Sequence, residues 1–319
     1  MNKKKILVTG CCGFIGSGWV NYYHKINPND IIINIDKLDY CSNEDNIINK
    51  KNNYKFIKCN LTNTEFILHI LNNYEITHVI HFAAQTHVDN SFCNSINFTI
   101  DNVLGTHSLL EAIRSYNKII KFIHISTDEV FGEVDINHEG CKENSLLAPT
   151  NPYAATKCGA EFIVKSYYHS FKIPSIIVRI NNVYGERQYP EKLIPKFIKL
   201  LKENKKCTIQ GTGETRRNFI HVNDVASALT IIFEKGDINN IYNIGTKNEF
   251  SVMEITDKIL KIMKPDEKIE NWIEYIEDRN FNDYRYSIDS SLLKSLGWSE
   301  KINFDEGLKK TIKWYLENL

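Results

Sequence analysis

Two short segments of the chain contain side chains that could move protons and a hydride. Thr127, Asp128 and Glu129 directly follow an apolar stretch, and Tyr153 and Lys157 come later with three residues between them. A tyrosine and a lysine at this spacing lie on the same face of a helix. The neighbouring cation favours deprotonation of the phenol, which can then accept the proton of an alcohol that loses a hydride. The pair therefore predicts oxidation of a carbinol.

The two adjacent carboxylates indicate a second reaction step. Oxidation needs only the tyrosine and the lysine, so Asp128 and Glu129 can serve as acid and base at other atoms of the substrate. Neighbouring side chains at a strand end point apart, which suits two groups that work on adjacent carbons. Removal of a proton from one carbon while a hydroxyl leaves the next is a dehydration. We therefore predict a dehydration that is coupled to oxidation.

Both segments also have a plain structural interpretation. Tyr153 and Lys157 could form a pair on a helix surface, and Asp128 and Glu129 could lie in a solvated turn before Gly132. However, the acidic pair follows a predicted strand, and ligands of parallel sheets bind beyond the carboxyl ends of the strands. This position favours the catalytic interpretation.

A glycine-rich turn near the N-terminus is typical of a dinucleotide site. Gly10, Gly13 and Gly16 lie between a predicted strand and a helix that begins near Phe14. Glycines let the backbone approach a pyrophosphate, and the helix N-terminus supplies oriented N–H groups. Asp36 ends the next predicted strand. A carboxylate there accepts hydrogen bonds from a ribose diol and repels a 2′-phosphate, which favours NAD over NADP.

Composition and charge exclude several classes of protein. The chain has 319 residues, and its 39 lysines and arginines equal its 39 acidic residues, so it lacks a basic field that would bind nucleic acid. The eight cysteines are scattered without a C-x-x-C pair, which is typical of a reducing cytosol. No apolar run approaches the length of a membrane span or signal peptide, and no histidine and carboxylate cluster has the spacing of metal ligands. We expect a cytoplasmic protein without a metal, nucleic-acid or membrane partner.

Alternating apolar runs and helical segments predict the fold of the first half of the chain. The predicted strands are 5–8, 31–35, 54–57, 78–82, 119–125 and 175–180, and the predicted helices are 14–25, 65–72, 98–116 and 152–171. Such alternation implies right-handed crossovers and a doubly wound parallel sheet, an α/β fold of the Rossmann type. We predict that residues 1–180 form this NAD-binding domain.

The pattern of elements changes after Gly185. The expected elements are a helix at 193–202, strands near 207–210 and 219–221, and helices at 225–234 and 252–263. We interpret 181–319 mainly as a smaller α/β lobe that binds the substrate. A segment near 218–244 is expected to return to the first domain.

Several longer motifs carry a resemblance to a known family. They are the runs 8–10, 13–16, 81–89, 126–132 and 153–157 in the first half, and 181–185, 190–195 and 279–286 in the second. Together they resemble the extended short-chain dehydrogenases and, more narrowly, the nucleoside-diphosphoglucose 4,6-dehydratases. The resemblance covers essentially the whole chain.

Two of these motifs suggest the nucleotide. Gln85-Thr86 and 182–184 are more similar to the UDP-glucose dehydratase half of plant rhamnose synthases than to bacterial dTDP-glucose enzymes. The resemblance therefore implies conversion of UDP-glucose to UDP-4-keto-6-deoxyglucose for rhamnose or other deoxysugar synthesis, with dTDP-glucose as the alternative substrate. The reductase half of the plant enzymes has no counterpart in the chain, so release of the keto sugar is expected.

The resemblance implies a catalytic role for each of five residues. Tyr153, assisted by Lys157 and Thr127, takes the O4 proton while the C4 hydride passes to NAD. Glu129 removes the C5 proton that the new 4-keto group acidifies, and Asp128 protonates the departing C6 hydroxyl. The hydride then returns to C6 and a proton returns to C5, so NAD is bound and recycled.

The resemblance also assigns the binding residues. Those for NAD are Gly10, Gly13, Phe14, Ile15, Gly16, Asp36, Asn60, Leu61, Ala83 and Ala84, together with Tyr153 and Lys157. Those for the nucleotide sugar are Thr86, His87, Asn182, Glu191, Lys192, Arg217 and Arg285. Asn60 stands where an aspartate commonly contacts adenine, which is a departure from the family pattern.

Two other kinds of protein share these features. A UDP-sugar epimerase or decarboxylase would use the same NAD loop, Tyr153 and Lys157, but would not need Asp128 and Glu129. A non-catalytic NAD-sensing scaffold would need none of these four side chains, so their presence favours an enzyme. Relatives pair two helices across a two-fold axis, and we therefore expect a homodimer formed by 98–116 and 152–171.

Overall fold

The computed structural model of the protein describes residues 3–48, 50, 52–279 and 281–318. The strands in these ranges are β1 Lys5–Thr9, β2 Ile31–Asp36, β3 Tyr54–Lys58, β4 His78–His81, β5 Lys121–Thr127, β6 Ser175–Ile180, β7 Asn182–Tyr184, β8 Cys207–Gln210, β9 Arg216–His221, β10 Ile241–Ile244, β11 Glu249–Ser251 and β12 Ile273–Ile276. The α-helices are α1 Phe14–Ile26, α2 Thr64–Tyr74, α3 Val88–Cys93, α4 Ser95–Phe98, α5 Gly105–Tyr116, α6 Pro152–Phe171, α7 Leu193–Lys202, α8 Val222–Lys235, α9 Val252–Met263, α10 Ser291–Ser295 and α11 Phe304–Asn318.

A seven-stranded parallel sheet forms the centre of the fold, in the order β10-β6-β5-β4-β1-β2-β3. Its strands are rich in isoleucine and valine because both faces of the sheet are covered by helices. One face packs on α1 and α8 around Trp19 and Phe233, and the other packs on α2 and α5 around Leu71 and Leu109. The predicted Rossmann-like α/β fold is confirmed.

The strand order reverses between β1 and β4, which lie side by side although β2 and β3 separate them in sequence. Ligands bind at such a reversal because the loops after the two strands turn to opposite faces and leave a crevice. The crevice lies beyond Thr9 and His81, the last residues of these strands.

The second lobe has its own core, formed where α7, α9 and α11 pack together around Phe197, Ile259 and Leu308. A three-stranded sheet, β11-β9-β7, and a two-stranded sheet, β12-β8, belong to this part of the chain. By contrast, β10 pairs with β6 and α8 packs on α1, within the first sheet. The division of the chain at residue 180 remains a prediction.

Several element boundaries differ from the predicted ones. β5 extends to Thr127 and ends in a short 3₁₀ turn, Asp128–Phe131. α8 begins at Val222 rather than 225 because the His221 ring accepts a hydrogen bond from the Asn223 N–H at 3.2 Å and caps the helix. A π-helical segment, Thr99–Leu104, precedes α5. The strands β7, β10, β11 and β12, of three or four residues each, were not predicted, since runs this short often carry too little periodicity to be recognised.

The structure also describes the cysteines and the longest helices. All eight cysteines are free thiols. Within the described ranges, no helix has the length and apolar character that crossing a membrane requires.

Candidate functional site

A cleft of about 460 Å³ opens at the carboxyl ends of β1, β4 and β5 and continues under the second lobe. It contains nearly all of the residues that the sequence assigned to a site. These are Gly10, Gly13, Phe14, Ile15, Gly16, Asp36, Asn60, Leu61, Ala83, Ala84, Thr86, His87, Thr127, Glu129, Tyr153, Lys157, Asn182, Glu191, Lys192 and Arg217. Asp128 and Arg285 are described in the structure but do not line the cleft.

The glycine turn after β1 forms a cradle that a side chain would fill. Gly10 has a φ of +70°, and a Cβ there would lie 2.5 Å from the Ala83 Cα. A Cβ on Gly16 would lie 2.8 Å from the Gly10 carbonyl oxygen. Gly13 stands at the N-cap of α1 without a side-chain cap, so the first N–H groups of the helix face the cleft. This backbone fits the pyrophosphate of a dinucleotide.

The carboxylate of Asp36 lies at the ribose end of this cradle. It accepts hydrogen bonds from the N–H of Cys12 at 3.0 Å and of Leu38 at 2.8 Å, which fix its orientation. The adjacent Lys37 ammonium lies 2.6 Å from Asp101 and 2.9 Å from Asp39. Because two carboxylates already neutralise Lys37, this lysine does not offset the repulsion between Asp36 and a 2′-phosphate. The residues therefore fit a dinucleotide with a free ribose diol.

The 3₁₀ turn after Thr127 separates the two adjacent carboxylates. The Thr127 hydroxyl lies 3.2 Å from Asp128 Oδ1 and accepts a hydrogen bond from the Glu129 N–H at 3.3 Å. Glu129 faces the cleft, where its Oε2 accepts a hydrogen bond from Asn151 Nδ2 at 2.9 Å. Burial raises the pKa of Glu129, and the hydrogen bond from Asn151 and the charge of Arg217 act in the opposite direction.

Asp128 lies behind the wall of the cleft and is only 3% exposed. Its Oδ2 accepts a hydrogen bond from Asn181 Nδ2 at 2.7 Å. Burial, followed by the negative charge of Glu129, raises the pKa of Asp128 to about 7. The carboxyl group can therefore hold or release a proton near neutral pH, as a general acid requires.

Tyr153 and Lys157 both face the cleft from the first turns of α6, but their electrostatics differ from the sequence prediction. Lys157 Nζ donates a hydrogen bond to the carbonyl oxygen of Ile125 at 2.6 Å, and burial lowers the pKa of Lys157 to about 8. Burial and the charge of Glu129 raise the pKa of Tyr153, while a hydrogen bond from Thr127 opposes them. The predicted lowering of the phenol pKa is therefore wrong for this structure, because burial, followed by the charge of Glu129, raises the pKa.

Two cations face the cleft from the second lobe. Arg217 donates hydrogen bonds to the carbonyl oxygens of Arg216 at 2.8 Å and Tyr284 at 3.2 Å, and its guanidinium lies 4.5 Å from the centre of the Tyr286 ring. Lys192 Nζ donates a hydrogen bond to the Thr86 carbonyl oxygen at 2.8 Å. Neither cation forms an ion pair with a carboxylate of the described ranges. Two unpaired cations in one cleft suit a diphosphate.

The structure places Arg285 differently from the sequence prediction. Arg285 forms an ion pair with Glu249 at 2.9 Å and donates to the carbonyl oxygen of Asp135, so its guanidinium points away from the cleft. Arg279 lines the cleft instead and lies 2.5 Å from Asp89. Both arginines occur in the run 279–286, whose irregular backbone gave no periodicity that could distinguish them, and Asn280 of this run lies outside the described residues.

Other site residues gain partners only in the folded chain. Tyr40 donates a hydrogen bond to Glu191 at 2.8 Å, and His87 lies 4.0 Å from the same carboxylate.

Asn151 was missed by the sequence prediction, although an asparagine before a proline at a helix start is a cap signal that could have identified it. Asn181 was also missed, and its position after β6 was the available signal.

Comparisons with known proteins agree with this geometry. Residues 7–311 match the family described as GDP-mannose 4,6 dehydratase. A dTDP-D-glucose 4,6-dehydratase of Dictyostelium discoideum is 46% identical over 357 residues, covering 99% of this chain and 82% of that protein.

A plant relative and a solved structure extend the comparison. A trifunctional UDP-glucose 4,6-dehydratase, 3,5-epimerase and reductase of Arabidopsis thaliana is 47% identical over 318 residues. The alignment covers 99% of this chain and 48% of the plant protein, so the chain spans about half of its length. The structure of a dTDP-glucose 4,6-dehydratase from Bacillus anthracis in complex with NAD superposes with a TM-score of 0.90 at 36% identity, covering 99% of this chain and 97% of that one.

Proposed function

The chain belongs to the GDP-mannose 4,6 dehydratase family, and from this membership we propose that it converts UDP-glucose to UDP-4-keto-6-deoxyglucose. It is an NAD-dependent nucleotide-sugar 4,6-dehydratase, as its relatives are. One observation supports the reaction most directly. Glu129 and Tyr153 face the same cleft as the glycine cradle, and Asp128 lies directly behind them with a pKa of about 7.

The cofactor is held by backbone more than by side chains. The turn of Gly10, Gly13 and Gly16 would hold the pyrophosphate, and Asp36 would accept hydrogen bonds from the ribose diol. When bound, NAD accepts a hydride from the sugar C4 and returns it at C6. The chain contributes the groups that move the protons.

Each proton transfer is assigned to one of the described side chains. Tyr153 accepts the O4 proton in its phenolate form. Burial and the charge of Glu129 disfavour this form by raising the pKa of Tyr153, and the hydrogen bond from Thr127 partly offsets them. Glu129 removes the C5 proton and returns a proton to C5 once the hydride has reached C6, since its carboxylate faces the cleft. Asp128 supplies the proton for the departing C6 hydroxyl, and its Oδ1 lies 3.2 Å from the hydroxyl of Thr127, a residue that lines the cleft.

The substrate is oriented from the second lobe in this proposal. Arg217 and Asn182 hold the diphosphate, and Glu191 and Lys192 lie near the glucose. Thr86 and His87 complete the substrate site. The preference for UDP rests on Gln85-Thr86 and the run 182–184. The Dictyostelium relative favours dTDP-glucose as the second candidate, because its identity to the chain is nearly the same as that of the plant relative.

Epimerases and decarboxylases of nucleotide sugars are less consistent with the site. Such enzymes need the tyrosine and the lysine but no acid and base pair at C5 and C6. Here Asp128 and Glu129 are each held by a separate asparagine, which indicates two distinct tasks rather than a solvated turn.

The decisive experiment uses the purified protein without added NAD. It is incubated separately with UDP-glucose and dTDP-glucose, and NMR identifies the products. We expect the 4-keto-6-deoxy sugar from UDP-glucose at the higher kcat/KM. A faster reaction of dTDP-glucose would identify the second candidate, whereas inversion at a carbon or loss of carbon dioxide would exclude a dehydratase.

The proposal also includes a cytoplasmic homodimer. Apolar side chains on the helical segments 95–116 and 152–171 are exposed, among them Ile100, Leu104 and Phe162. Such a patch is typical of an interface between subunits. Sedimentation equilibrium of the full chain is expected to give the mass of a dimer, and Leu104→Glu combined with Phe162→Glu is expected to give a monomer.

A further inference from the structure

The two carboxylates of the site are each held by a different asparagine. Asn151 Nδ2 donates a hydrogen bond to Glu129 Oε2 at 2.9 Å, and Asn181 Nδ2 donates to Asp128 Oδ2 at 2.7 Å. Asn151 is 5% exposed and Asn181 is 3% exposed. Neither asparagine was assigned a role above, although both lie at the wall of the cleft.

A backbone N–H fixes the orientation of each asparagine. Asn151 Oδ1 accepts from the Ala154 N–H at 2.8 Å and thereby caps α6. Asn181 Oδ1 accepts from the Thr246 N–H at 3.1 Å. A flip of either amide would place its oxygen against a carboxylate and its NH₂ against a backbone donor, so both hydrogen bonds would be lost. The NH₂ group must therefore face the carboxylate.

We propose that Asn151 and Asn181 are positioning residues, each of which orients one carboxylate of the reaction and favours its charged form. Asn151 acts on the base Glu129, and Asn181 acts on the acid Asp128. The roles of base and acid rest on the proposed function, whereas the coupling of each asparagine to its carboxylate rests on the geometry alone.

The neighbours of the two carboxylates differ, so each asparagine has a separate effect. The titratable and charged groups that face Glu129 are Asp128, Tyr153, Lys192, Arg217, Asp283 and Tyr286. Those that face Asp128 are Glu129, Cys141, Tyr153 and Arg217. Loss of a donor raises the affinity of either carboxyl group for a proton. A base must be deprotonated and an acid protonated, so the two losses move opposite limbs of a pH profile.

The test for Asn151 separates its two hydrogen bonds. Serine keeps the capping oxygen but is too short to reach Glu129. Asn151→Ser is therefore expected to move the acidic limb of kcat/KM upward by about one to two pH units, since the lost hydrogen bond stabilises the charged form of Glu129. Asn63→Ser is the matched control, because Asn63 caps α2 through the Phe66 N–H at 3.1 Å and, among the described residues, its side chain donates to no carboxylate. An unchanged acidic limb in Asn151→Ser would overturn the proposal.

The test for Asn181 uses the other limb. Asn181→Ser is expected to move the alkaline limb upward and to leave the acidic limb in place. A second variant, Asn151→Asp, keeps the cap of α6 but replaces the donor with a carboxylate, and it is expected to move the acidic limb further than serine does. Movement of both limbs by both substitutions would show a general loss of structure and would overturn the assignment.

Infrared titration provides a measurement that does not depend on turnover. Protein labelled with ¹³C-glutamate shows the protonation of Glu129, which the Glu129→Gln variant identifies in the spectrum. Asn151→Ser is expected to raise the midpoint of this band by about one to two pH units, whereas Asn63→Ser leaves it unchanged. If the protein formed no keto sugar, the proposed function would fail, but the band would still support or refute the coupling between Asn151 and Glu129.

Discussion

The two sides of the cleft are built in different ways. On the nucleotide side, the surface is mainly backbone, with Gly10 and Gly16 in positions that admit no Cβ and with the open N-terminus of α1. On the sugar side, the surface consists of charged side chains whose partners come from distant segments. Lys192, for example, contacts a carbonyl 106 residues earlier in the chain.

This difference explains why the two sides are not equally visible in a sequence. A backbone cradle is local, because its glycines and Asp36 all belong to one strand-helix-strand unit and their spacing is sufficient to recognise it. A side-chain site is assembled from separate loops, so residue type alone does not show which cation faces the ligand. Arg279 and Arg285 differ by six positions, yet only Arg279 lines the cleft.

The largest expected effect is on turnover, and it concerns Glu129, which faces the cleft where its nucleotide and sugar sides meet. Glu129→Gln is expected to reduce turnover by roughly 10²–10⁴-fold, because an amide cannot accept the C5 proton. Binding of NAD and of the sugar is expected to remain. The measurement is solvent deuterium uptake at C5, with the exposed Glu139→Gln as the control. Normal uptake in Glu129→Gln would refute the assigned base.

The nucleotide side of the cleft, which is mainly backbone, can be tested by adding one methyl group to the glycine turn. Gly10→Ala places a Cβ 2.5 Å from Ala83 at a φ of +70°, which costs roughly 1–2 kcal/mol for the backbone and roughly 1–3 kcal/mol for the overlap. We expect a lower melting temperature and little NAD bound after purification. In Gly159→Ala, the matched control within α6, the nearest atom is 3.6 Å from the new Cβ. Equal NAD content in both variants would show that the cradle does not hold the cofactor.

Because Asp128 is buried behind the cleft wall, we expect the stability of the protein to depend on pH. The pKa of Asp128 is about 7, against an ordinary 3.8, so the folded protein binds this proton more tightly than the unfolded chain does. Ionising Asp128 in the folded protein therefore lowers the free energy of unfolding. This loss of stability is absent below pH about 4, grows as the pH rises and is complete above pH about 7. Asp128→Asn removes the charge and is expected to raise the free energy of unfolding at pH about 8 by up to about 4 kcal/mol.

The measurement for Asp128→Asn is urea unfolding at both ends of this pH range. Little change is expected at low pH, where the aspartate is already neutral. The exposed Asp266→Asn is the control and is expected to show no such dependence. An equal gain for Asp128→Asn at both pH values would contradict a charge effect.

The sugar side of the cleft, which is mainly side chains, can be tested by substituting two adjacent arginines of β9. Arg217→Gln is expected to raise KM for the nucleotide sugar by roughly 10–100-fold with a smaller change in kcat, because hydrogen bonds to a charged group contribute roughly 1.5–3 kcal/mol. Arg216→Gln is the matched control, since Arg216 lies 2.9 Å from Glu249 and does not line the cleft. A similar rise of KM in both variants would indicate a general effect on the second lobe.

The predicted strands and helices of the first half were found because long apolar runs and helical periodicity are properties of the sequence itself. Short strands escaped this approach. β10 has four residues, and only its pairing with β6 shows that it belongs to the first sheet. The phenol of Tyr153 was predicted to lose its proton easily, but spacing cannot reveal how deeply a side chain is buried.

The amino-acid sequence by itself determined the kind of chemistry, because the types and spacing of Tyr153, Lys157, Asp128 and Glu129 are local features that no distant contact changes. Only the tertiary structure decided the orientation and the pKa of each of these side chains. It placed Asp128 behind the wall and Glu129 in the cleft, and it brought one asparagine to each. The physical reason is that a pKa and an orientation depend on burial and on neighbours from other segments, which only the folded chain brings together.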